Sequence, residues 1–158
     1  MKTLIVYYSL EGNTAYAADR IAYLTGADTL RINPVKEYPR DGFRKFLWGG
    51  KSALMSETPK LEAYIFDQVK YDRIIFGFPV WAGSITPPIR TFIRENDLKG
   101  KHIAAFACQS GSGAENGSCV RRRSTGSRFS SGKIQQFRYS RRHRCILRTG
   151  ISPAMTWC

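Results

Sequence analysis

Six consecutive residues, Ser9-Leu10-Glu11-Gly12-Asn13-Thr14, gather two hydroxyls, a side-chain amide and a glycine in one short stretch. Ser9 and Thr14 can donate through their hydroxyls and Asn13 through its amide, and Gly12 lets a ligand come close to the backbone. If a helix starts here, its unpaired N–H groups and partial positive charge add to these donors, and the whole suits a phosphate. The plainer reading is an ordinary strand-to-helix turn with Asn13 or Thr14 as helix N-cap. The stretch by itself leaves both open. Two more stretches of small residues lie further on, Pro79-Val80-Trp81-Ala82-Gly83-Ser84 and Cys108-Gln109-Ser110-Gly111-Ser112-Gly113. The first of them carries an indole that is expected to be exposed. A phosphate-binding turn beside a flat aromatic surface calls for a phosphorylated, planar, conjugated ligand.

The flanking segments show what would position these stretches. Thr3-Leu4-Ile5-Val6 is an apolar run that reads as a buried strand. Ala15 to Leu24 is rich in helix formers, with Ala18, Ile21 and Ala22 at helical spacing. Asp28 to Ile32 alternates as a short second strand and is stopped by Asn33-Pro34. A longer segment follows, in which Phe43, Phe46 and Leu47 share one helical face, while Leu61 to Val69 is ambiguous between helix and loop. Asp72 to Phe78 is a continuous apolar third strand of the kind found in parallel sheets covered on both faces. Thr86 then serves as N-cap for a helix opened by Pro87-Pro88, where a missing N–H costs nothing. His102 to Ala107 is a fourth strand. This alternation predicts a doubly wound α/β sheet. In such a sheet the ligand lies beyond the C-terminal ends of the strands, and all three small-residue stretches follow strand ends.

The length of 158 residues suits one domain with a sizeable core. The chain shows no apolar run of the ~18 residues that a membrane span needs. It opens on Met1-Lys2 and enters a strand without the parts of a signal peptide, so the expected compartment is the cytoplasm. Four cysteines, at 108, 119, 145 and 158, have no CxxC spacing and suggest neither a disulfide framework nor a metal site. The net charge of +13 is unevenly spread. Residues 1–116 hold 15 Lys and Arg and all 12 acidic residues, whereas residues 117–158 hold 10 Lys and Arg and no acid. Average usage would place roughly five acidic residues in a stretch of that length. The chain therefore reads as a domain over 1–116 joined to an Arg/Ser/Gly-rich tail over 117–158. Such a tail is what an out-of-frame reading of a GC-rich gene would give. The functional alternative is an arm for nucleic acid, with Tyr139-Ser140-Arg141-Arg142-His143-Arg144 against phosphates.

Residues 1 to about 115 resemble the flavodoxins. Ser9-x-Glu11-Gly12-Asn13-Thr14 is similar to their phosphate loop, Phe78-Pro79-Val80-Trp81-Ala82-Gly83 to their second loop, and Cys108 to Gly113 stands at the position of their third. Phe46-Leu47-Trp48-Gly49-Gly50-Lys51 resembles members with a longer segment after the second strand. The resemblance implies a flavodoxin-like parallel sheet of order 2-1-3-4-5, its last strand and helix here missing or replaced, and one FMN held without a covalent bond. Ser9, Asn13, Thr14 and the backbone of 10–14 (Leu10, Glu11 and Gly12 included) would hold the phosphate. Pro79, Val80, Trp81, Ala82 and Gly83 would meet the ring, with Trp81 stacked on it and Gly83 or a neighbour facing N5. Gln109, Ser110, Gly111, Ser112 and Gly113 would wrap the pyrimidine edge. No Lys or Arg lies in the first loop, so dipoles and hydroxyls alone would neutralise the phosphate. Glu11 stands where Thr is usual, and its carboxylate must face solvent.

The function implied is electron transfer between partner proteins, with the flavin supplying the chemistry. An FMN-dependent NAD(P)H:quinone oxidoreductase is the alternative, with the segment around Phe43–Met55 shaping a substrate pocket. Gly50-Lys51-Ser52 fails as a nucleotide P-loop because position 45 is Lys and a helix-like segment precedes it. Cys108 reads as a small apolar residue at a strand end, and His102 as a surface residue. No acid–base residue is assigned.

Overall fold

The computed structural model describes residues 1–39, 57–81, 84–110, 134–138 and 143–151. Strand β1 (Thr3–Tyr7) leads into helix α1 (Asn13–Thr25), which returns to β2 (Asp28–Arg31). After a long connection come β3 (Arg73–Pro79), α2 (Pro87–Glu95) and β4 (His102–Ser110), then β5 (Ile134–Arg138) and β6 (His143–Ile151). The sheet order is β2-β1-β3-β4-β6-β5. The first four strands pair in parallel, as the alternation predicts. The place beyond β4, where a fifth parallel strand was expected to be missing or replaced, holds β6 in antiparallel pairing, with β5 antiparallel outside it.

Side chains alternate across the parallel strands and fill two cores. Ile5, Tyr7, Ile75, Ala104 and Phe106 face α1, where Ala17 and Ala18 close the contact. Leu4, Val6, Ile74, Phe76, Phe78, Ile103 and Ala105 face Ile89 and Phe92 of α2. Helices thus lie on both faces, which is why these strands are apolar throughout rather than in alternation. Phe76, Phe92 and Phe106 are each no more than 1% exposed. Burial of one such side chain is worth about 1.5–3 kcal/mol. Gly77 has a packing reason to lack a side chain. A Cβ there would overlap the tip of the Phe106 ring, at Cζ, on the neighbouring strand.

The connection between β2 and β3 doubles back on itself. Val35 N–H donates to Lys60 O and Glu62 N–H to Asn33 O, both at 2.9 Å, about an antiparallel bridge between Pro34 and Leu61. Leu61 to Val69, ambiguous in sequence, forms no helix. The segment predicted helical around Phe43–Met55, with the Gly49-Gly50-Lys51 stretch, lies outside the described residues. Thr86 is the α2 N-cap ahead of the two prolines, as expected.

Candidate functional site

β2 lies on one side of β1 and β3 on the other, so the crossovers leaving β1 and β3 part at this point. The parting opens a crevice at the C-terminal ends of the strands. The first loop enters it straight from the ladder: Ile32 N–H donates to Tyr7 O at 2.9 Å and Tyr8 N–H to Gly77 O at 3.0 Å. Beyond Tyr8 the chain turns. The buried Ser9 closes that turn by accepting the Gly12 N–H on its Oγ at 3.1 Å. Gly12, with φ 91°, occupies the left-handed region that a side chain would strain. Gly12, not Asn13 or Thr14, is the α1 N-cap, and no side chain caps the helix. Its O accepts the Tyr16 N–H at 2.9 Å, the first bond of the helix.

An uncapped helix start leaves its first N–H groups without intrahelical acceptors. Thr14 sits among them, 1% exposed, and its Oγ1 has no hydrogen-bond partner. A buried hydroxyl left this way costs about 1–3 kcal/mol. The first turn of α1 has no acidic residue, and Glu11 is exposed, as its position required. Asn13 is half-buried, and the Cys108 thiol lies 4.0 Å from its carbonyl oxygen. Cys108 is buried and forms no disulfide, in keeping with its reading as a small apolar residue at a strand end.

The second loop leaves β3 through the half-buried Pro79 and Val80, and Val80 N–H donates to Cys108 O at 3.0 Å. Trp81 and Ser84 exchange both backbone hydrogen bonds, at 3.3 and 2.9 Å, and so close a tight turn. Ala82 and Gly83 lie outside the described residues. Beneath the turn, the buried Arg90 donates from Nη2 to Ser84 Oγ at 3.3 Å. Trp81 is not the fully exposed indole that the sequence suggested. It is half-buried and packs edge-on against Tyr8, at 5.7 Å and 85°, and Tyr38, at 4.9 Å and 80°. Such edge-to-face pairs add about 0.5–1.5 kcal/mol beyond area burial and fix a ring's orientation.

Of the third stretch, Gln109 and Ser110 are the last residues of β4, opposite Arg144 and His143 of β6. Gly111, Ser112 and Gly113 lie outside the described residues. The structure thus brings Ser9–Thr14 and Pro79–Trp81 to one edge of the sheet, with Cys108–Ser110 ending at the same edge.

Three neighbours of the site went unread in the sequence: Tyr8, Tyr38 and Arg31. Parallel pairing puts Arg31 abreast of Tyr7, and its Nη2 donates to Ser9 O at 3.3 Å. Burial pushes the Tyr7 phenol above its ordinary pKa, with Asp19 adding to the rise and Arg31 opposing it. Tyr8, Ser9, Leu10, Arg31, Asn33, Pro34, Glu37 and Tyr38 line a small cavity of about 10 Å³, room for one water. Among the described residues no cluster of His, Cys, Asp or Glu could hold a metal ion, and no helix is long and apolar enough to cross a membrane.

A sequence profile of the family described as Flavodoxin matches residues 2–144. No curated protein matches. Among solved structures, a proposed flavoprotein from Bacteroides uniformis ATCC 8492 is 30% identical with a TM-score of 0.62, over 73% of this chain and 77% of that one. A second proposed flavoprotein, from Bacteroides eggerthii DSM 20697, is 27% identical with a TM-score of 0.64, over 73% and 76%. A flavoprotein from Lactobacillus acidophilus NCFM, solved in complex with FMN, shares the fold at 24% identity with a TM-score of 0.64, over 73% and 80%.

Proposed function

This chain belongs to the flavodoxin family, and from that premise we propose that it binds FMN without a covalent bond and passes electrons to and from partner proteins. The observation that carries the reading is the start of α1: no side-chain cap, and a Thr14 hydroxyl buried without a partner. Such a group is what a phosphate oxygen would satisfy. The residues therefore fit the cofactor. The N–H groups at the start of α1 and the Thr14 hydroxyl would hold the phosphate, with the Ser9 hydroxyl able to donate while its oxygen keeps the Gly12 N–H.

Bound FMN supplies the redox chemistry. The chain's own residues bind and orient it. Trp81, held edge-on by Tyr8 and Tyr38, offers a flat apolar wall for the ring. The Trp81–Ser84 backbone pair would hold the indole at this wall, with Arg90 bonded to Ser84. Apolar packing around Trp81 would keep water from one side of the ring.

The test is reconstitution. Protein mixed with FMN and passed through a desalting column should emerge yellow, with its flavin fluorescence quenched. Steady-state NAD(P)H oxidation by that holoprotein should be slow, as for a carrier. Rapid turnover with a quinone would move the assignment to an oxidoreductase.

A further inference from the structure

The phosphate loop carries no cation of its own and one exposed carboxylate, Glu11. Arg31 changes that balance. It ends β2, level with Tyr7 in the register, and its guanidinium reaches across to the Ser9 carbonyl at 3.3 Å. Ser9 is the residue whose Oγ closes the loop on Gly12. The guanidinium is always charged, and no carboxylate pairs with it among the described residues, although Glu37 lines the same cavity. The Ser9 carbonyl that Arg31 holds is neutral, so the guanidinium charge is left to act on whatever lies in the loop.

We propose that Arg31 is the residue that makes this site select a phosphorylated flavin over an unphosphorylated one, by its charge and by holding the Ser9 carbonyl. The inference rests on the phosphate reading of the α1 start. A five-donor guanidinium can bond one loop carbonyl and still present N–H groups elsewhere. A positive charge within a Debye length (~10 Å at 0.1 M salt) of a phosphate dianion should shift affinity roughly three- to tenfold, and less as salt rises. Riboflavin, which lacks the phosphate, should be indifferent to the same charge.

The experiment is fluorescence titration of the protein, Arg31→Gln and Arg31→Lys with FMN and with riboflavin, at low and high salt. Arg31 is exposed, so both variants should fold, which the melting temperature of the apo forms checks. The expected result is a three- to tenfold loss of FMN affinity in Arg31→Gln at low salt, smaller at high salt, with riboflavin unchanged and most of the loss restored by Lys. Equal losses for both flavins, or no loss for FMN, would overturn the role of Arg31 while the parent protein's preference for FMN stood. A parent protein that did not prefer FMN would instead overturn the phosphate reading itself.

Discussion

The Tyr38 ring meets the Trp81 indole edge-on, at 4.9 Å between centroids and 80° between planes. One residue comes from the β2–β3 connection and the other from the turn after β3, so the contact joins two separate loops. Loss of the indole should cost FMN binding. Trp81→Ala is expected to weaken FMN roughly tenfold or more, because the flavin then buries less apolar area and has no ring to stack on. Tyr38→Ala should weaken it less, through a loosened indole. In a double-mutant cycle the two should couple by about 0.5–1.5 kcal/mol, and strict additivity of the two losses would separate Tyr38 from the site.

Thr14→Val should move apo stability and cofactor affinity in opposite directions. The valine keeps the shape and removes a buried hydroxyl that has no partner. The apo protein should gain about 1 kcal/mol, within the ~1–3 kcal/mol cost of an unsatisfied group. FMN affinity should fall about tenfold or more, the worth of a hydrogen bond to a charged oxygen. Thermal melting of the apo form and FMN titration check the two halves. A destabilised apo protein would mean that the hydroxyl has a structural partner.

Glu11→Thr should leave FMN affinity unchanged or raise it. The residue is exposed and lies beside the proposed phosphate position, so its carboxylate can only repel a dianion. Titration at low salt gives the clearest reading. A large loss of affinity would show Glu11 to be part of the loop's own hydrogen bonding.

Gly77→Ala should destabilise the domain by about 1–3 kcal/mol, the usual cost of overpacking. The added methyl meets the Phe106 ring within the sheet, on the face that packs against α1. Chemical denaturation measures it. A second change, Phe106→Leu, should recover part of the loss, and a failure to do so would place the strain in the backbone.

Local features of this fold were legible, and long-range ones were not. The β1–loop–α1 unit could be read because an apolar run, a glycine turn and helix formers follow one another directly, and the structure has β1 at Thr3–Tyr7 and α1 at Asn13–Thr25. Thr86 before two prolines marked the start of α2 for the same reason. Arg31 and Tyr38 could not be placed. Arg31 reaches Ser9 only through the parallel register of β2 on β1, and Tyr38 reaches Trp81 across a connection of more than thirty residues. Neither separation leaves a periodic signal. Cys145-Ile146-Leu147 is a short apolar run within the acid-free tail, and in the structure it pairs with Phe106–Cys108 of β4. Strand pairing of that kind depends on a partner distant in sequence, which composition does not reveal.

In the proposed complex the start of α1 holds the cofactor's phosphate. The most direct test is a ¹⁵N–¹H correlation spectrum of the apo protein titrated with FMN and, separately, with riboflavin. FMN should shift the amides of Gly12, Asn13, Thr14 and Ala15 strongly downfield, and riboflavin should leave them nearly in place. Equal shifts with both flavins, or unmoved amides under saturating FMN, would contradict this placement of the phosphate.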